Sequence, residues 1–129
     1  MTTEKDVVGG AGGQAGPGVK DARHLYEVER RAEHAARPGF RITELQMSPG
    51  QTVPWHLHTQ VQDTFYVLSG QIRIFLGAPK EAVLLGPGDT FSAKPGRPHL
   101  VTIVGTSSAT FLVLQGIGVY DFVPLTAAP

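Results

Sequence analysis

The chain has 129 residues, enough for one domain with a core of its own and too few for two ordinary ones. Eleven basic and eleven acidic side chains cancel, which removes the electrostatic basis for nucleic acid or an anionic membrane surface as partners. There is no cysteine for disulfide or thiol chemistry, and no apolar run of the length a membrane span or signal peptide needs, so a cytoplasmic protein is expected.

From the N-terminus, residues 9–18 hold six glycines and no large side chain, too little apolar area to offset the entropy of ordering, so residues 1–20 are predicted to be a flexible tail. Residues 21–39 form a charged N-terminal arm. Within it Glu27 to Ala36 are good helix formers stopped by Pro38-Gly39, which fits a short helix; a strand over 24–29 followed by a turn fits equally. Residues 40–129 are the expected domain. Pro49-Gly50, Ser69-Gly70, Gly86-Pro87-Gly88, Pro95-Gly96 and Gly105 punctuate short runs of β-branched and aromatic residues. The spacing predicts strands near 40–47, 52–58, 62–68, 71–76, 81–85, 89–93, 99–104 and 109–116, as in an all-β sandwich or barrel. Ser69-Gly70 reads as a hairpin turn, so the strands on either side of it are expected to pair. Phe40, Ile42, Phe65, Ile74, Leu84 and Phe111 are among the expected core residues, and the apolar segment after Gly118 needs a covering surface on the barrel or across a dimer.

One constellation carries chemistry. His56 and His58 flank Leu57, and residues i and i+2 of a strand share a face at roughly 6.6 Å, so both imidazoles can meet one ion while Trp55 and Leu57 point away. Asp63 after a short turn and His99 at the end of Lys94-Pro95-Gly96-Arg97-Pro98 offer the remaining donors, a nitrogen and oxygen set suited to a first-row transition metal. Gln62 is the adjacent alternative to Asp63, but alternation turns it to the other face, and Asp63 then shares a face with Phe65 and Val67. His24 and His34 have no ligand spacing.

The stretch Gly50, His56, His58, Asp63, Gly70 resembles the first cupin motif, and Gly88, Gly96, His99 resembles the second. Asp63 stands where that family usually has glutamate, Lys94 where it has proline and Ile103 where it has asparagine. The resemblance implies an all-β double-stranded β-helix, or jelly-roll barrel, with the metal ligands His56, His58, Asp63 and His99 pointing inward. It implies one divalent transition metal, with Fe, Mn, Ni, Zn and Cu all compatible, and a homodimer. The apolar lining suits an aromatic or enol-like small molecule. Tyr66, Gln62 and Arg73 are candidates to support the ligands, while Arg97 and Lys94 are candidates to draw an anion to the rim.

Three functions stay open on this reading. The first is a mononuclear-metal enzyme, with dioxygenase-like oxidation of a small organic substrate leading and isomerase or lyase chemistry behind it. The second is a small-molecule or metal-binding sensor or carrier. The third is a metal-free barrel with one histidine as a general base. Fold alone does not choose among them.

Overall fold

The computed structural model describes residues 18–129. The expected tail therefore lies almost wholly outside the described residues. Ten strands make two five-stranded antiparallel sheets facing each other. In chain order they are β1 (Arg30–Arg37), β2 (Phe40–Met47), β3 (Thr52–Leu57), β4 (Gln62–Ser69), β5 (Gln71–Leu76), β6 (Glu81–Leu85), β7 (Thr90–Ala93), β8 (His99–Val104), β9 (Ala109–Gly116) and β10 (Val123–Pro124). One sheet runs β1-β2-β9-β4-β7 and the other β10-β3-β8-β5-β6. Among the described residues there is no helix, and hence none long and apolar enough to cross a membrane.

The expected strands from residue 40 to 116 form with nearly the expected bounds, because glycine and proline interrupt an otherwise regular alternation. Two expectations need correction. Arg30–Arg37 is neither a helix nor the end of a strand over 24–29; it is an edge strand paired along β2, with a bulge at His34 between Glu33 and Ala35. Intrinsic helix preference is a weak term of a few tenths of a kcal/mol per residue, and the ladder to β2 overrides it.

The second correction concerns Ser69-Gly70, which joins strands that do not pair. β4 is bonded to β7 and β9, whereas β5 is bonded to β6 and β8. Gly70 is the corner at which the chain leaves one sheet for the other. Its φ is +77°, and a Cβ there would lie 2.6 Å from the Ser108 carbonyl oxygen and 2.7 Å from Ala109 Cα. Only glycine fits such a corner.

Inward residues of the two sheets meet in a core that includes Met47, Phe65, Val67, Ile72, Ile74 and Phe111. Phe40 and Leu84 are exposed at 37% and 50%, since alternation turns them outward. The C-terminal segment covers the barrel itself: β10 pairs with β3, and Phe122 is buried against Val19 through a reciprocal backbone bridge.

A buried three-histidine, one-aspartate centre

The position of the two close histidines depends on an irregularity. β3 pairs with β8 at Val53 with Val101 and again at His56 with His99, so β3 carries one extra residue between those pairs. Plain alternation would place Val53 and His56 on opposite faces. The bulge at Pro54-Trp55 turns both inward, and proline, having no N–H for the ladder, is tolerated at a bulge. His58 lies just past the end of β3, held by the Gly96 N–H, which donates to the His58 carbonyl at 2.7 Å. That bond draws the loop before His99 onto the loop after His58. Asp63 projects from β4 in the opposite sheet.

All four side chains are buried, and their ligand atoms lie within 4.8 Å of one another. Asp63 Oδ2 is 3.0 Å from His58 Nε2, 2.9 Å from His99 Nε2 and 3.9 Å from His56 Nε2. The opposite nitrogen of each ring meets a backbone carbonyl: His56 Nδ1 donates to Pro54 at 2.7 Å, His99 Nδ1 to Arg97 at 2.8 Å, and His58 Nδ1 to Asp121. A carbonyl oxygen only accepts, so each Nδ1 carries a hydrogen and each ring turns its Nε2 toward Asp63, where the neutral form offers a lone pair. Three imidazole nitrogens and a carboxylate facing one point need a positive charge among them, from a bound cation or from a proton on a ring.

Electrostatics agree. Burial, with the neighbouring His99, lowers the His56 pKa to about 3, so that ring is neutral at ordinary pH. Burial opposes a charge on His58, but the Asp63 carboxylate outweighs it and raises the pKa. Asp63 itself is fully buried, which would raise its pKa; the charge of His58 and the close approach of the three rings overcome this and hold it well below the carboxylate range. A buried carboxylate held ionised among three inward-facing imidazole nitrogens is a donor set that fits a divalent metal.

Gln62 turns away from the cluster and bonds Thr64. The expected supporting residues lie elsewhere: Tyr66 is exposed, and Arg73 stands on the outer face opposite Leu84. Arg97 is not free at the rim, because it bonds the carbonyls of Gly77 and Pro79 and the carboxylate of Glu81. The groups that do support the centre come from distant sequence. Buried Gln115 of β9 donates through Nε2 to Asp63 Oδ1 at 2.9 Å. Phe122 stacks on His56 with centroids 4.2 Å apart and planes 10° apart. Asp121 accepts from Thr59 N–H and hydroxyl, which fixes the carbonyl that orients His58.

Beside the cluster opens a cavity of about 330 Å³. Leu45, Val53, Phe65, Val101 and Phe111 form its apolar wall, and its polar side includes Tyr26, Arg31, Glu33, Arg41, Gln115 and Tyr120.

A family model described as a cupin domain matches residues 43–116, more than half of the chain. An uncharacterized conserved protein with a double-stranded β-helix domain from Klebsiella pneumoniae subsp. pneumoniae is 27% identical, with a TM-score of 0.64 over 72% of this chain and 75% of that one. An oxalate oxidase is 22% identical, with a TM-score of 0.61 over 67% of this chain and 46% of its own. One of the DMSP lyases is 25% identical, with a TM-score of 0.60 over 69% of this chain and 47% of its own. The chain thus spans about half the length of these two enzymes. No curated protein matches it.

Proposed function

The chain belongs to the cupin family, and from that premise we propose that it is a metal-dependent enzyme acting on a small organic substrate in the cavity. His56, His58 and His99 through Nε2, and Asp63 through a carboxylate oxygen, would hold one divalent transition metal. The observation that carries this reading is the commitment of all three Nδ1 atoms to backbone carbonyls, which turns three Nε2 atoms and a carboxylate toward one buried place. When bound, such an ion supplies Lewis acidity and, as iron or manganese, redox chemistry with dioxygen.

The protein's own part is to hold and to exclude. Backbone carbonyls fix the ring orientations, Gln115 fixes the carboxylate, and Phe122 covers the His56 face against water. Oxidation by dioxygen is the leading reaction, since a six-coordinate ion held by these four donors would have room for both substrate and dioxygen. Metal-assisted lyase chemistry is the second reading, favoured by the similarity to a DMSP lyase. We propose further that two copies pair through outward-facing apolar residues such as Phe75 and Leu84; a sedimentation coefficient of the single chain would overturn that.

The test is elemental mass spectrometry on protein prepared without a histidine tag, beside His58→Ala. Near-stoichiometric transition metal, lost in the variant, supports the site; full occupancy in the variant overturns it. Oxygen uptake over enol, catechol and carboxylic acid compounds then separates oxidation from lyase chemistry. Saturable binding without product would make the protein a carrier or sensor.

A further inference from the structure

The inner face of the β1-β2-β9-β4-β7 sheet carries a cross-strand row: Arg41 stands opposite Gln115, and Gln115 opposite Asp63. Neighbouring strands lie about 4.8 Å apart, so the Arg41 backbone is about 10 Å from that of Asp63. Both side chains line the same cavity, and so does Arg31, which stands opposite Leu45 further along that face. Each guanidinium lies over a tyrosine: Arg41 is 3.8 Å from the Tyr120 centroid and Arg31 is 5.4 Å from that of Tyr26.

Neither arginine has an acidic partner among the described residues. Arg23 is paired with Asp21, Arg30 with Glu44 and Arg97 with Glu81, whereas Arg31 Nη2 and Arg41 Nε are buried with no hydrogen-bond partner. A buried guanidinium N–H without an acceptor is costly, and such groups are normally satisfied. The tyrosines do not provide the missing negative charge, because burial raises the pKa of both phenols. Asp63 is engaged by the histidines and Gln115, and Glu33, which also lines the cavity, is exposed to solvent and pairs with neither arginine.

We propose that Arg31 and Arg41 form the anion-binding pole of the cavity, and that the substrate is a small organic acid whose carboxylate they hold while its other end faces His56, His58, Asp63 and His99. This rests on the metal-enzyme reading above for the role of that second end. With each guanidinium beside a tyrosine ring, Arg31 Nη2 and Arg41 Nε remain as N–H donors for a planar anion, which a carboxylate matches. The apolar wall accommodates the body of an organic acid and gives no recognition to a fully hydrated inorganic anion.

The test is calorimetric titration of the full chain, zinc-loaded and again after chelation, with pyruvate and benzoate against pyruvamide and benzamide, and with inorganic phosphate. We expect at least one acid to bind about tenfold or more tightly than its amide. The preference should persist without zinc and disappear in Arg31→Met/Arg41→Met while zinc stoichiometry is unchanged. Equal binding of acid and amide to the chelated protein, or a preference the double variant retains, overturns the proposal. Phosphate binding as tightly as the acids overturns the carboxylate assignment. The chelated wild type decides the matter should the variant fail to fold. Acid selectivity in a protein that takes up no zinc would instead sink the metal-enzyme reading and leave the anion pole standing.

Discussion

Gln115 shows how a candidate metal site is shaped by residues outside its ligand set. It holds Asp63 Oδ1 at 2.9 Å, so that Oδ2 is the oxygen presented to the histidines. Gln115→Leu keeps the volume and removes the donor, leaving a buried carboxylate oxygen unpaired and the carboxylate free to rotate. Loss of such a support typically costs about 10–100-fold in metal affinity, and competition with a calibrated chelator measures it. His56 makes a second prediction, for metal-free protein. Burial holds its pKa at about 3 against an ordinary 6.5, so the unfolded chain binds the extra proton between those values and stability must fall as pH drops through them. His58 acts in the opposite sense, but its raised pKa makes its contribution complete below 6.5. The depressed carboxylates of Glu29, Glu44 and Asp63 lose theirs only as pH falls through about 4.5 and 3.8, so the slope between about pH 6.5 and 5 belongs to His56. Urea midpoints of chelator-treated protein should decline across that interval and be flat in His56→Gln; a flat wild-type profile contradicts the assignment. The His-x-His pair and His99 were legible in the sequence because strand period and motif spacing are local. Gln115, Arg41 and Arg31 were not, since their meaning lies in which strands are neighbours.

At the scale of the elements, glycine corners decide the topology. Gly70 and Gly50 both have positive φ, +77° and +96°, yet a Cβ at Gly70 would strike the Ser108–Ala109 backbone whereas one at Gly50 meets nothing within 4 Å. Gly50→Ala should therefore cost only conformational strain, about 1 kcal/mol, and Gly70→Ala that strain plus a backbone clash, about 3 kcal/mol or more. Chemical denaturation of both variants gives the comparison; equal losses would mean that the corner relaxes. The same glycines explain what could be read in advance. From residue 40 to 116, turn residues bound runs of the right length, so strand positions followed directly. Pairing did not follow, because Ser69-Gly70 has the composition of a hairpin turn and only the contact with Ser108 and Ala109 shows it to be a corner between sheets. β1 was hidden for another reason: an edge strand with one bulge and exposed charged residues shows no clean alternation, and its alanines, arginines and glutamate carry a helical preference.

The barrel is closed by the segments flanking its strands as well as by its sheets. Val19 and Phe122 exchange both backbone hydrogen bonds, β10 extends the sheet of β3, and Asp121 orients His58, so the terminal segment is simultaneously an edge strand and a wall of the centre. Phe122 joins these roles, being 2% exposed and stacked on His56. Phe122→Ala should cost about 3–5 kcal/mol, the usual loss for a buried phenylalanine. Water reaching the His56 ring should also weaken the burial that holds its pKa near 3, so that value should climb toward 6.5, read from the ring resonances in metal-free protein. Phe40→Ala, at a site 37% exposed on β2, is the control and should change stability by no more than about 0.5 kcal/mol. If Phe122→Ala lost stability while His56 kept its low pKa, desolvation of the centre would come from the sheets alone and the terminal segment would serve only to complete the barrel. A joint change in both would mean that the fold cannot be opened at this end without wetting the histidine cluster, which ties the energetics of barrel closure to the desolvation of the centre.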